Sequence, residues 1–185
     1  SYLELKIPLL EQYSIDEWFG DLDGYIKDED TLEFITELRD DILKKFNLPI
    51  TIGASKSKWI AKLLTDRIKP FGVFALPSDM VLEYTKNISV NEFPGVGKAI
   101  ARKLQDYNVK TLGDLIIRPN LLNEYGKTGR DLFNKICGID DEKVVPNSDR
   151  KGIGISRNFK AIQDRNEIYR RTSIECEKER KIMEG

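Results

Sequence analysis

Histidine is absent from the 185-residue chain, and cysteine occurs only as Cys137 and Cys176, in unrelated surroundings. A zinc site would therefore lack its usual ligands, and the two thiols read as free groups in a reducing cytosol. No stretch approaches the roughly 20 consecutive apolar residues of a membrane span. The first residues, Ser1-Tyr2-Leu3-Glu4-Leu5-Lys6, offer no basic region followed by an apolar core. Neither a secretion signal nor a membrane partner is expected, and the expected location is cytoplasmic. What is present, 40% hydrophobic and 33% charged residues, is the make-up of a soluble globular protein with one or two domains.

The net charge of −1 conceals a gradient. Residues 1 to 50 carry 5 basic and 13 acidic groups, residues 51 to 135 carry 14 and 8, and the remainder 11 and 10. A uniformly basic nucleic-acid protein is excluded. An acidic segment beside a positive one suits a protein that holds metal ions in one place and phosphates in another.

The acidic segment contains Asp16-Glu17 between two short runs of strand character. Ile7, Leu9 and Leu10 supply apolar β-formers, and Trp18, Gly20 and Leu22 alternate with Glu17, Phe19 and Asp21 in period two. The two carboxylates are placed at or near a hairpin end, where a turn or bulge must let both face one site. Magnesium takes hard oxygen ligands, commonly one or two carboxylates plus substrate phosphates. The same dipeptide also describes an ordinary solvated turn.

Beyond the hairpin, Asp23-Gly24 signals a turn, and Asp30 with Glu33 reads as an N-cap and capping box. Leu32, Ile35, Leu38, Ile42 and Phe46 recur at helical spacing, and Asn47 and Pro49 end that helix. Ile50-Thr51-Ile52-Gly53 reads as a buried strand. Ser55 or Ser57 can cap a second helix whose apolar side is Trp59, Ile60, Leu63, Leu64 and Ile68, with Lys56, Lys58, Lys62 and Arg67 on the rest. Val73-Phe74-Ala75-Leu76 makes another strand. Residues 7 to 76 thus read β-β-α-β-α-β, an α+β arrangement with helices on one face of a mostly antiparallel sheet.

From residue 78 short helical pieces take over, and Pro94-Gly95-Val96-Gly97-Lys98 is the second motif. Its glycines allow a tight turn, and their amides with the open start of the following helix form a site for a phosphate oxygen. The pattern fits a helix-hairpin-helix that grips nucleic-acid backbones without reading bases. It also fits a plain helix connection that only packs its neighbours. Thr111 is the expected N-cap of the next helix, and Gly126 to Gly138 contains another, with Leu132, Phe133 and Ile136 buried. Residues 140 to 151 are polar and read as an extended linker. Gly152 to Phe159 alternates as a strand, and Asn166 to Met183 reads as a charged helix.

Tyr13-Ser14-Ile15-Asp16-Glu17 with Phe19 and Asp21 resembles the palm motif of Y-family translesion DNA polymerases. Leu48 to Lys58, Ala61-Lys62, Lys69-Pro70 and Gly72-Val73 resemble the palm segment that follows, and Gly138-Ile139-Asp140 continues the thumb pattern. The resemblance implies a partial palm with a ferredoxin-like sheet over residues 1-78. A small all-α thumb with a helix-hairpin-helix follows over 79-139, a linker over 140-151, and the beginning of an α+β little finger over 152-185. For the parent protein it implies template-directed DNA synthesis across damaged DNA. Asp16 would bridge two Mg2+ ions, and Glu17 would hold the ion that activates the primer hydroxyl. Lys69 would reach the triphosphate, although a lysine at a helix end also serves its own terminal carbonyls. Gly95, Val96, Gly97, Lys98 and Arg157 would meet DNA.

The implied partners are primer-template DNA, an incoming deoxynucleoside triphosphate, and a sliding clamp through a missing C-terminal region. Two departures from the family pattern stand beside the acidic pair: Trp18 where a smaller apolar residue is common, and Gly20 where leucine is. The family's first metal-binding aspartate and its fingers domain have no counterpart here, so this chain is expected to be a fragment that is inactive alone, with exposed, metal-free carboxylates. A non-catalytic DNA-binding scaffold is the other reading.

Overall fold

The computed structural model describes residues 2–146, and Ser1–Pro146 forms one compact unit. The expected little-finger strand, the charged helix Asn166 to Met183, Arg157 and Cys176 lie outside the described residues.

Strands β1 (Leu9–Gln12) and β2 (Trp18–Asp21) form an antiparallel hairpin in which Leu10 faces Gly20 and Gln12 faces Trp18. The period-two run of the sequence is this hairpin, with the acidic pair in the connecting loop. Helix α1 (Thr31–Phe46) buries Ile35, Leu38 and Ile42 and ends where Asn47 adopts a left-handed conformation. Strands β3 (Ile52–Ala54) and β4 (Val73–Ala75) flank helix α2 (Lys58–Arg67) and pair in parallel, with α1 and α2 packed against them. A parallel pair needs a crossover connection, and α2 supplies it.

Three expectations fail in this half. Among the described residues the strands form two separate two-stranded sheets, one antiparallel and one parallel, rather than one mostly antiparallel sheet. The α+β class stands, but pairing depends on partners distant in sequence, which period-two alternation does not encode. Asp30 does not cap α1 with its side chain, because a 3-10 turn at Asp28–Asp30 leads into the helix and leaves Asp30 in a helical conformation. A side-chain cap needs an extended backbone at that position. Leu32 and Phe46, expected on the buried stripe of α1, are exposed.

The second half is helical: α3 (Val81–Thr85), α4 (Lys98–Asp106), α5 (Leu112–Ile116) and α6 (Gly126–Cys137), with 3-10 turns at Ser78–Met80, Val90–Glu92 and Pro119–Tyr125. Thr111 caps α5 as expected: its hydroxyl accepts from the Asp114 amide at 3.1 Å, and the Asp114 carboxylate accepts from the Thr111 amide at 3.0 Å. Leu132 and Ile136 are buried on α6, with Phe133 packed beside them.

One continuous core runs through both halves. It joins Ile60, Leu63 and Leu64 of α2 to Phe93, Leu104, Leu112, Leu115, Leu132 and Ile136. Residues 140–146 contain no helix or strand, yet they are fastened to the body: Ser57 donates to Asp140 at 2.6 Å, Trp59 to Glu142 at 2.8 Å, and the Val145 amide to Glu11 at 2.8 Å. Cys137 is a free thiol among the described residues, and burial pushes it up from its ordinary pKa, which suits an inert group.

Candidate functional site

The loop between β1 and β2 is closed by its own backbone. The amides of Tyr13 and Ser14 both donate to the Glu17 carbonyl, at 2.9 and 3.1 Å. The Ser14 hydroxyl then lies 3.0 Å from Asp16 Oδ1 and 3.5 Å from Glu17 Oε2, so its single proton serves one carboxylate at a time. This turn gathers the two acidic side chains, which an extended strand would have sent to opposite faces. Ile15 at the tip is 93% exposed.

Helix α2 supports the loop from behind. Tyr13, Phe19 and Trp59 meet edge to face, with ring centroids 5.3 to 6.0 Å apart. Lys58 donates to both oxygens of Glu11 at 3.0 and 2.9 Å, its side chain only 5% exposed. One turn further along α2, Lys62 Nζ is 2.5 Å from Glu17 Oε1 and 3.7 Å from Asp66 Oδ2. Lys69, just past the helix, is 2.8 Å from Asp66 Oδ1. That hydrogen bond holds the Lys69 ammonium above the usual lysine range, against the opposing pull of burial, and the charges of Glu17 and Asp16 add to the effect.

One sequence expectation changes here. Asp16 is exposed as expected, but Glu17 is partly covered and paired with Lys62. Lys58 and Lys62, expected away from the apolar side of α2, reach the hairpin carboxylates Glu11 and Glu17. The available signal was charge complementarity, since lysines one helical turn apart match Glu11 and Glu17 on the neighbouring hairpin.

At the second motif, α3 and the 3-10 turn at Val90–Glu92 are the short helical pieces expected ahead of the glycines. Gly95 has φ +98°, a conformation that other residues adopt only with strain, and Gly97 stands at the N-cap of α4. The Gly97 amide donates to the Gly95 carbonyl at 3.1 Å and the Val96 amide to Phe93 at 3.1 Å. Of the two glycine amides expected to face a phosphate, that of Gly97 is therefore engaged internally. The open donors belong to the first turn of α4, which no side chain caps, and nothing lies within 4 Å of where a Gly97 Cβ would be. Lys98 and Arg102 of α4 line a groove of about 540 Å3 with Ser89, Asn91 and Lys110.

Comparison with known proteins agrees with both motifs. A family model described as impB/mucB/samB matches residues 1–66, and one described as the DNA polymerase-iota thumb domain matches residues 91–140. DNA polymerase IV of Shewanella oneidensis is 33% identical over 150 residues, covering 80% of this chain and 42% of the relative. That of Yersinia enterocolitica is 31% identical over 155 residues, covering 82% and 44%. Among solved structures, a Y-family DNA polymerase chimera of Dbh and Dpo4 superposes with a TM-score of 0.70 at 26% identity, over 80% of this chain and 44% of that one. Together these matches fit a fragment of a Y-family DNA polymerase. A DinB family error-prone DNA polymerase from Sulfolobus solfataricus gives a TM-score of 0.69 at 25% identity, over 77% and 44%. The chain thus spans less than half the length of the curated relatives it matches.

The polymerase relatives imply use of divalent metal in general. Asp16 and Glu17 fit that use as hard oxygen donors gathered by Ser14. Among the described residues no group of three His, Cys, Asp or Glu side chains is placed to hold a metal, so further ligands would come from substrate phosphates, water or another carboxylate. Among the described residues, too, no helix is long and apolar enough to cross a membrane.

Proposed function

We propose that the parent of this chain is a translesion DNA polymerase that carries out template-directed synthesis across damaged DNA. The observation that supports this most is the convergence of Asp16 and Glu17 on the Ser14 hydroxyl, at 3.0 and 3.5 Å. Two Mg2+ ions, when bound, would clamp the attacking and leaving oxygens of the nucleotidyl transfer. Asp16 would contact both ions, and Glu17 the one beside the primer hydroxyl. Lys69 would steady the triphosphate of an incoming deoxynucleotide.

The turn at Gly95, Val96 and Gly97, with Lys98, would grip a phosphate of the primer-template duplex at the first turn of α4. Arg157 would add a DNA contact. Palm (1-78), thumb (79-139), linker (140-151) and little finger (152-185) are the proposed divisions, although the core is shared across residue 78. A sliding clamp, reached through a C-terminal region, and a cytoplasmic location complete the proposal.

Primer extension by the full-length protein tests it. Asp16→Ala and Glu17→Ala are expected to abolish magnesium-dependent incorporation while duplex binding persists. Incorporation that survives both changes would overturn the assignment. If the unaltered full-length protein binds duplex but never extends a primer, it is a scaffold instead. The 185-residue chain alone is expected to leave a primer unextended.

A further inference from the structure

Glu17, Lys62, Asp66 and Lys69 form a row of alternating charge. Lys62, Asp66 and Lys69 follow one another at intervals of four and three residues, so one side of α2 and its exit presents all three to the acidic loop. Lys62 touches Glu17 Oε1 at 2.5 Å, and its side chain is 16% exposed against 31% for Glu17. The Tyr13 ring, its centroid 5.6 Å from Nζ, walls the ammonium on another side. Asp66 offers Lys62 a second oxygen at 3.7 Å while its other oxygen holds Lys69 at 2.8 Å.

The pair one turn earlier behaves differently. Lys58 grasps both oxygens of Glu11, is almost fully covered, and has Glu142 at 3.6 Å as a further anion. Glu11 lies on a strand, away from the paired carboxylates of the loop, so Lys58 ties hairpin to helix. Lys62 instead occupies an oxygen of the loop itself. A cation on that oxygen and the Lys62 ammonium repel each other, and Asp66 is the nearest alternative anion for the displaced lysine.

We propose that Lys62 and Asp66 are positioning residues of the acidic site: Lys62 holds the Glu17 carboxylate and competes with a divalent cation for it, and Asp66 receives Lys62 and orients Lys69. This rests on the reading of Asp16 and Glu17 as metal ligands. The competition keeps the loop folded before metal arrives and sets how much metal is needed to open it. A lysine that merely anchored the hairpin would have no effect on cation affinity once the fold was intact.

The test is Mn2+ binding to the full-length protein, read by the electron paramagnetic resonance signal of free Mn2+. Lys62→Gln is expected to tighten binding about tenfold, the lower end of what a neighbouring charge does to a carboxylate's proton affinity. Adding Glu17→Ala to Lys62→Gln should remove the gain. Lys62→Arg keeps the charge and adds a bidentate grip, so it should bind Mn2+ no tighter than the unaltered chain, and it remains informative if Lys62→Gln loosens the loop. Asp66→Asn, which deprives Lys62 of its alternative, should weaken binding. If Glu17→Ala weakens Mn2+ binding but Lys62→Gln leaves it unchanged in a chain of normal thermal stability, the competition is refuted and the metal assignment stands. If Mn2+ binding is absent or indifferent to Asp16→Ala and Glu17→Ala in both backgrounds, the metal assignment fails and the proposal with it.

Discussion

The loop Tyr13–Glu17 offers side-chain oxygens, whereas the turn Phe93–Gly97 leads to backbone amides, and the two are held in place by different forces. Around the loop the restraints are charged and aromatic groups reaching over from α2: Lys58, Trp59 and Lys62. Around the turn they are apolar, with Phe93, Leu104 and Leu132 buried in the common core and Gly95 in a conformation few residues tolerate. A site made of side chains tolerates a flexible backbone if its partners are correct. A site made of backbone must have the backbone fixed from below. The loop should therefore respond to changes in charge and the turn to changes in volume and dihedral angle.

The largest expected effect is on the turn side. Phe93→Ala opens a cavity beneath Pro94 and Gly95 and should cost about 3–5 kcal/mol in urea denaturation. Because the core is continuous from α2 to α6, the loss should appear in one transition, and two separated transitions would show that the halves unfold independently. Next comes the loop side. Glu11→Ala leaves the covered Lys58 charge with Glu142, 3.6 Å away, as its remaining carboxylate among the described residues, beside the Phe19 and Trp59 rings, and should cost about 2–3 kcal/mol, below the figure for an ion pair with no second partner.

Gly95→Ala forces a side chain into a left-handed conformation and should cost about 1–2 kcal/mol. It should also weaken duplex binding more than any single change in the loop, and equal binding by the two sets of variants would break the comparison. Thr111→Ala removes the cap of α5 and should cost about 1 kcal/mol. Its partner Asp114 gives a pH signature. Amide donation from Lys110 and then Thr111 holds the Asp114 carboxylate below the usual range, so its stabilising effect is present above about pH 4 and fades as the pH falls through the lowered value. Asp114→Asn should flatten that acid limb in a pH series of thermal melts. The smallest effect on stability is that of exposed Lys98. Lys98→Gln should leave the melting temperature unchanged yet reduce the slope of log affinity for duplex DNA against log salt by about 0.9, the signature of one lost phosphate contact.

What could be read from the sequence follows the same division. The hairpin strands, the α2 core of Ile60, Leu63 and Leu64, and the Thr111 cap are local patterns, and each appears where its spacing or residue type put it. Gly95 and Gly97 announced a tight turn because glycine has few other uses between two helices. The second glycine's amide was misjudged because an internal bond to the Gly95 carbonyl is invisible in residue types. The pairing of Lys62 is not legible in the sequence because helical periodicity identifies only the apolar side, and which polar residue is covered depends on where the hairpin docks. The division into two small sheets was hidden for a related reason: β3 finds its partner across α2, more than a dozen residues away. Asp30 failed as a cap because a local 3-10 turn overrode the residue's preference.

Gly20 leaves the face of β2 open, and Ile7 fills that space: a Cβ added at position 20 would lie 2.9 Å from Ile7 Cγ2. The two positions are therefore expected to change as a pair. A larger residue at 20 collides unless position 7 has already shrunk, and a smaller residue at 7 leaves a void until position 20 grows. Related chains should divide into those with a bulky residue at 7 and glycine at 20 and those with the reverse, with few intermediates. The glycine beside the acidic loop is thus one half of a volume shared with Ile7, and a comparison of related sequences at the two positions tests it.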